Sequence, residues 1–380
     1  MAVLAVAAVS ARMLAEAATR DGYGVVALDL YGDADTRRAA RCWRPIGGPG
    51  HAGQIDAPRL LDALRELTGH VGEPVLGWIP GSGFDGRPEL LDAGAHLLPL
   101  LGTPADAVRR VRDPATFFGA LSAHGIAFPE VRFDAPELAH GWLRKDAAGS
   151  GGWQVRRVAD LRETGAALSP SVYYQRECEG VPMSATFIAG AGRTRVVGFN
   201  ELLTERIGKR PHVYAGCIGP VDLPDALAQR LVDIVQTLAA EFGLRGWCSL
   251  DFMRAGDKID VLEVNPRPPA SLALYAHRGA IEAQVAACRD AAWDLSAPDA
   301  SRPVRGTRIV YAARSAILDE PAAQRLASRD HMHDLPSAGA RFDAGDPVCS
   351  VSAAGDDAAQ VSSMLKARHD DVIQMLESLS

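Results

Sequence analysis

Apolar residues recur along this chain in two rhythms, short unbroken runs and stretches with helical spacing. Residues 3–9 are an unbroken apolar run, which predicts a strand buried on both faces. Ser10 stands where it would cap a following helix, whose apolar positions Met13, Leu14, Ala17 and Ala18 lead to Gly22. A second run, 25–30, contains Asp29 and is followed by Gly32-Asp33-Ala34-Asp35. Helical spacing over 60–67 and further runs at 74–79 and 97–101 continue the alternation. The pattern predicts part of an open parallel sheet with its functional edge at the strand C-termini. No G-x-G-x-x-G follows the first strand, so a dinucleotide site is not indicated.

From about residue 105 the texture changes. Residues 105–112 and 114–124 have helical spacing, 142–145 read as a strand, and 146–152 as a loop of small residues. A strand at 171–175 and an antiparallel pair at 182–188 and 194–199 follow. Residues 223–242 form a long amphipathic helix, 247–253 and 258–264 a hairpin, and 281–292 another helix. Beyond about 303 the pattern shifts again, to strands at 307–313 and 347–351 and a closing helix at 358–376. The chain therefore divides into 1–104, 105–295 and 296–380.

The hairpin carries the most informative chemistry. Strand side chains alternate between faces, so Leu250 and Phe252 share one face and Asp251 takes the other. On the return strand Leu262 and Val264 share one face, while Glu263 and Asn265 take the other. A turn centred near Gly256-Asp257 sets Asp251 opposite Glu263. Two adjacent carboxylates repel each other unless a cation lies between them. With a neutral asparagine oxygen beside them they suit a hard divalent ion that keeps phosphate and water in its shell. Asn265-Pro266-Arg267 then adds a fixed cation able to grip an oxyanion.

Upstream, Lys145 ends a strand and is followed by Asp146-Ala147-Ala148-Gly149-Ser150-Gly151-Gly152. A lysine there reaches phosphate as a point charge, and a glycine-rich loop brings backbone N–H groups close to it. The lysine precedes the glycines, so this is not a P-loop. Tyr173-Tyr174-Gln175-Arg176-Glu177-Cys178-Glu179-Gly180 passes from one strand pair to the next.

Asp251 followed by Glu263-Val264-Asn265-Pro266-Arg267, with Lys145 and its glycine loop upstream, resembles the ATP-grasp superfamily. The resemblance extends over the whole chain. It implies a Rossmann-like pre-ATP-grasp domain at 1–104, a two-lobed ATP-grasp domain at 105–295 hinged near 175–180, and a small β-rich closing domain at 296–380. Asp251, Glu263 and Asn265 then hold Mg2+ (or Mn2+). Lys145, Gly149, Ser150, Gly151 and Gly152 cover the ATP phosphates, and Gln175, Glu177 and Cys178 lie at the base. Arg267 and Lys145 are the catalytic cations.

Two positions depart from the family pattern. Val111-Arg112-Asp113-Pro114 lacks a phosphate lysine that Arg112 or Arg110 would have to replace. Pro182 stands where an acid usually grips the ribose, leaving Glu177 or Glu179 to substitute. Within the superfamily the chain is similar to ATP-dependent carboligases of methylotrophs and methanogens. That likeness implies an ADP-forming ligase joining a small-molecule carboxylate to an amine through an acyl-phosphate, in one-carbon cofactor biosynthesis of the methanopterin or methanofuran type. It leaves two rivals, a bicarbonate-dependent carboxylase of biotin-carboxylase type and a non-catalytic ATP-binding partner subunit. It also allows a homodimer.

Composition narrows the classes further. The 380 residues carry a formal net charge of -7, with 47% hydrophobic and 23% charged residues. Mild acidity argues against nucleic acid as the main partner. No apolar run is long enough to cross a bilayer and no basic residue precedes the first one, so neither a membrane span nor a signal peptide is expected. Cys42, Cys178, Cys217, Cys248, Cys288 and Cys349 form no C-x-x-C pair, as expected of free thiols in the cytoplasm. Weaker candidates are Ser10, Arg12 and Ser82 at strand ends, the basic group Arg206, Lys209, Arg210 and His212, and the His331-x-His333 pair.

Overall fold

A computed structural model describes residues 1–48, 53–68, 75–161, 171–275, 278–295 and 303–379. The N-terminal strands Val3–Ala7, Gly24–Asp29, Cys42–Pro45 and Val75–Pro80 form a parallel sheet. Val3–Ala7 lies in its centre and is buried throughout, which explains the unbroken apolar run. The expected strand at 97–101 amounts to a single bridge between Leu100 and Trp78. Ser10 does not cap the first helix, Arg12–Arg20. The N-cap is Ala11, and the Ser10 hydroxyl is drawn off to Asp334, 3.0 Å away.

Beyond it the described residues contain a two-stranded antiparallel sheet, Ala316–Ile317 with Arg341–Phe342, and two larger antiparallel ones. The smaller of these two has the order Val131–Arg132, Val172–Arg176, Trp142–Asp146, Arg156–Arg157. The larger has eight strands, led by Lys258–Asn265, Gly246–Ala255, Val181–Gly190, Arg193–Ile207 and Arg210–Gly219. Val304–Tyr311 pairs with Arg210–Gly219 and then with Pro347–Gly355, so the C-terminal strands extend this sheet. The expected start of a third region at 296 lies outside the described residues. Residues 177–180 link the two sheets, joining Val172–Arg176 of the smaller to Val181–Gly190 of the larger.

One face of the large sheet is apolar and carries the long helix Asp225–Phe242. Leu227, Leu231, Ile234, Val235, Leu238 and Phe242 recur on its inner side and pack with Leu250, Phe252, Val261 and Val264. Each fully buried leucine there contributes ~1.5–3 kcal/mol. Gly243, at φ 66°, ends the helix in the left-handed conformation that suits glycine. On the opposite face Ile188, Val197 and Trp247 pack against residues 272–275 and 280–295, while Ser249, Asp251, Glu263 and Asn265 present the polar side chains that build the site. Among the described residues, no helix is long and apolar enough to cross a membrane.

Candidate active site

The hairpin forms as the alternation predicts. Asp251 pairs with Glu263 and Ser249 with Asn265, and Gly256 supplies the positive φ of the turn. One feature was not legible in the sequence. Phe252 pairs with Val261, so Leu262 is an extra, bulged residue. Val261 therefore joins Val264 in the core, and Leu262 is left half-buried outside it.

The bulge leaves Asp251, Glu263 and Asn265 together on the polar face. Asn265 Nδ2 donates to Asp251 Oδ2 at 3.0 Å and to Ser249 Oγ at 3.2 Å. Burial and the neighbouring Glu263 push the Asp251 carboxyl well above the usual carboxylate range. Glu263 goes the other way. Burial would raise it too, but Arg112 and Lys145 outweigh that and hold it below its ordinary value. The pair therefore carries one firm negative charge and one that a divalent cation would restore.

Arg112 answers the missing lysine. Its Nη1 donates to Glu263 Oε2 at 2.8 Å, and its Nη2 donates to the carbonyls of Ala147 and Gly149, both at 2.8 Å. It thus ties the glycine loop to the acidic hairpin. Arg110 points elsewhere, to the Glu241 carbonyl. Lys145, paired in its sheet with Tyr173, donates to Gln175 Oε1 at 3.0 Å. Burial works against its charge, yet Tyr173 and Glu263 raise it above its ordinary value.

Arg267 is held from the N-terminal sheet. Its Nε lies 2.9 Å from both oxygens of Asp85, and its Nη2 reaches Ser150 Oγ at 3.3 Å and Asn265 Oδ1 at 3.2 Å. Asp85 is buried, and Arg267 with Arg112 keeps its carboxyl low against the effect of burial. The same loop approaches the glycine loop closely. A Cβ on Gly86 would fall 2.2 Å from the Ala148 carbonyl oxygen. Nothing local in the sequence pairs Asp85 with Arg267, which is 182 positions away.

The remaining loop residues are clasped from the large sheet. Tyr214 N donates to the Gly151 carbonyl at 2.9 Å. A Cβ on Gly152, at φ 75°, would fall 1.9 Å from the His212 carbonyl, so only glycine fits. At the link between sheets, Glu177 is more occupied than expected. Its N–H donates to the Gly141 carbonyl, so that donor is not free to read a base. Its carboxylate takes Arg157 Nη2 at 2.7 Å and faces His212 Nε2 at 2.8 Å, which removes it as the ribose acid. Glu179 is exposed and Cys178 half-buried.

Several candidates lie apart from this centre. Ser10 and Arg12 bind Asp334, and Ser82 offers its carbonyl to Val9 N. Arg206 and Lys209 are exposed at a hairpin tip, while Arg210 stacks on Trp153. His333 bonds Ser352, and no third ligand among the described residues joins the His331-x-His333 pair. Among the described residues no group of three or more His, Cys, Asp or Glu could hold a metal. The Asp251, Glu263 and Asn265 set, with two carboxylates, suits an ion that brings phosphate oxygens of its own.

Residues 111–271 match the ATP-grasp domain family. This segment is an ATP-grasp domain. The carbamoyl phosphate synthase large chain of Thermus thermophilus is 29% identical over 197 residues, which is 47% of this chain and 19% of that one. Its counterpart in Deinococcus radiodurans is 25% identical over 198 residues, with the same coverage. The chain thus spans about a fifth of the length of these relatives.

Among solved structures, a biotin carboxylase complex from Campylobacter jejuni superposes with TM-score 0.69 at 14% identity, covering 99% of this chain and 95% of that one. An L-amino acid ligase from Bacillus licheniformis gives 0.69 at 15% identity, covering 98% and 97%. N5-carboxyaminoimidazole ribonucleotide synthetase from Thermus thermophilus gives 0.68 at 16%, covering 98% of each. At these identities the likeness is one of fold, and it takes in the flanking regions as well as the ATP-grasp domain.

Proposed function

We propose that the protein is an ADP-forming ligase that activates a small-molecule carboxylate with magnesium-ATP and joins it to an amine. The observation that carries this reading is the convergence of Asp251, Glu263 and Asn265 with Arg112, Lys145 and Arg267 beneath a glycine loop. The donors present fit a nucleotide. Arg112 Nε and Gln175 Nε2 are buried N–H groups with no hydrogen-bond partner among the described residues, a costly arrangement unless an acceptor occupies the cleft.

Asp251, Glu263 and Asn265 would hold magnesium, which supplies charge neutralisation for the phosphates. Lys145 and Arg112 lie where negative charge on the transferred phosphoryl group would develop. Gly149, Ser150, Gly151 and Gly152 cover that group and exclude water. In the first step a carboxylate oxygen takes the γ-phosphoryl group and ADP leaves. In the second an amine attacks the acyl carbon, phosphate leaves, and the amine gives up a proton. Arg267, fixed by Asp85, is placed to stabilise the oxyanion formed at that carbon. The homologous carbamoyl phosphate synthases and the ligases and carboxylases of like fold favour this class. One-carbon cofactor biosynthesis, the cytoplasm and a homodimer remain the finer expectations of the resemblance.

The experiment is to measure ADP and phosphate release with a panel of acids and amines that includes one-carbon cofactor precursors. Release that requires both an acid and an amine supports the ligase. Release with bicarbonate and no amine points to the carboxylase instead, and tight binding without release under every mixture points to a partner subunit.

A further inference from the structure

The polar face of the hairpin holds a side chain that the reaction above does not use. Ser249 lies on the strand Gly246–Ala255, two residues before Asp251 and therefore on the same face. It is 2% exposed and pairs across the hairpin with Asn265. On its other side it pairs with Thr186 of the strand Val181–Gly190. Thr186 is already engaged, with Ser271 Oγ at 2.6 Å and with Asn200 Nδ2 at 3.0 Å. The Ser249 hydroxyl turns instead to the hairpin. It accepts from Asn265 Nδ2 at 3.2 Å and donates to Asp251 Oδ1 at 3.3 Å.

The chemistry of an amide makes that contact matter. A carboxylate offers oxygen at both ends, whereas an amide offers oxygen at one end and N–H donors at the other. Asn265 can meet a cation through its oxygen alone, so the amide has to be held one way round. Three groups fix it. Asp251 Oδ2 and Ser249 Oγ accept from Nδ2, and Arg267 Nη2 donates to Oδ1 at 3.2 Å. The same Arg267 nitrogen reaches Ser150 of the glycine loop, so the amide oxygen is turned to the cleft. Reversing the amide would set its oxygen against the Asp251 carboxylate and its N–H groups against the Arg267 guanidinium. Two of the three groups have further roles, Asp251 toward the cation and Arg267 toward the oxyanion at the acyl carbon. Ser249 has neither.

We propose that Ser249 is a positioning residue for the metal site, holding the Asn265 amide nitrogen so that the amide oxygen stays turned to the cleft when Asp251 and Arg267 engage cation and substrate. This rests on the magnesium-nucleotide reading of the cleft. Partners that stand behind the atoms touching a metal commonly contribute roughly 10–100-fold to its affinity.

The test is calorimetric titration of the whole protein with ATP over a series of free magnesium concentrations, read as the magnesium concentration at which ATP binding is half-maximal. Ser249→Ala should raise that midpoint by about tenfold or more. A variant that had merely lost stability would bind less ATP throughout without moving the midpoint. Ser249→Thr and Ser249→Val, alike in shape and differing in the hydroxyl, make the same comparison if Ser249→Ala does not fold, with threonine expected to keep the wild-type midpoint and valine to raise it. Asn265→Asp replaces the amide with a group that needs no orienting, so adding Ser249→Ala to it should move the midpoint by less than about threefold. A midpoint unmoved by loss of the hydroxyl, or moved as far beside Asn265→Asp as in wild type, overturns the assignment of Ser249 while the metal site stands. ATP binding that is indifferent to magnesium in the wild type overturns both this inference and the reading of the cleft.

Discussion

Two clusters of buried acids among the described residues differ in what satisfies their oxygens. In the cleft, Asp251, Glu263 and Asp85 face Arg112, Lys145 and Arg267, three carboxyls against three cations. At the seam between the N-terminal sheet and the C-terminal strands, Asp33, Asp35 and Asp334 gather around Arg12, with Glu16 beside it. The seam is closed by backbone groups. Asp334 N and Leu335 N donate to Asp35 at 2.8 and 3.0 Å, and Ser10 and Arg12 take Asp334. The cleft instead keeps buried donors, Arg112 Nε and Gln175 Nε2, with no partner among the described residues. A cluster whose valences are filled by its own chain holds the molecule together, whereas one with orphaned donors awaits a ligand.

That contrast breaks most visibly with Glu263→Gln. It is expected to lower ADP formation by roughly 10²–10³-fold while leaving the melting temperature near wild type. The converse is Asp334→Ala. It takes from Arg12, whose side chain is 12% exposed, the carboxylate bound at its Nε, leaving Glu16 and Asp35, and should destabilise the fold by about 3 kcal/mol with nucleotide affinity unchanged once folded. Chemical denaturation and calorimetry together separate the two outcomes.

Arg112→Ala is intermediate. Losing one charge-assisted donor should weaken magnesium-ATP binding by about 10–100-fold. A full loss of stability instead would place Arg112 with the seam rather than the cleft.

The smallest expected effect is at Asp33, whose carboxyl is raised to about 8 by burial and by Asp334, Asp29 and Asp35. A group whose folded value lies above its unfolded one binds its proton more tightly when folded, so it weakens the fold as pH rises from about 4 to about 8. Asp33→Asn should therefore raise the melting temperature by a few degrees at about pH 8 and hardly at all at about pH 4. An equal shift at both would detach Asp33 from the cluster.

How much of this could be read from the chain depended on sequence distance. The Asp251–Glu263 rung was legible because a two-residue period and one glycine turn fix a hairpin's register. The bulge at Leu262 was not, since nothing in the local pattern distinguishes an extra residue from its neighbours. Arg112 stands out in the sequence only as a gap in a motif, and Asp85 not at all. Their partners lie 151 and 182 positions away, and the second pair meets only when the N-terminal sheet docks. Ser10 shows the reverse error. It has the residue type and place of a helix cap, but Asp334, 324 positions on, is a stronger partner for its hydroxyl than the helix end.

The central claim is that the hairpin acids hold the metal of a bound nucleotide. Its most direct test is calorimetric titration of ATP with and without magnesium, on wild type and Asp251→Asn. The account predicts tight binding only with magnesium and its loss in Asp251→Asn. It also predicts weaker binding as pH falls from about 8 to about 6, because the raised Asp251 carboxyl must lose its proton to meet the cation. Binding of equal strength without magnesium, or untouched by Asp251→Asn, would contradict it.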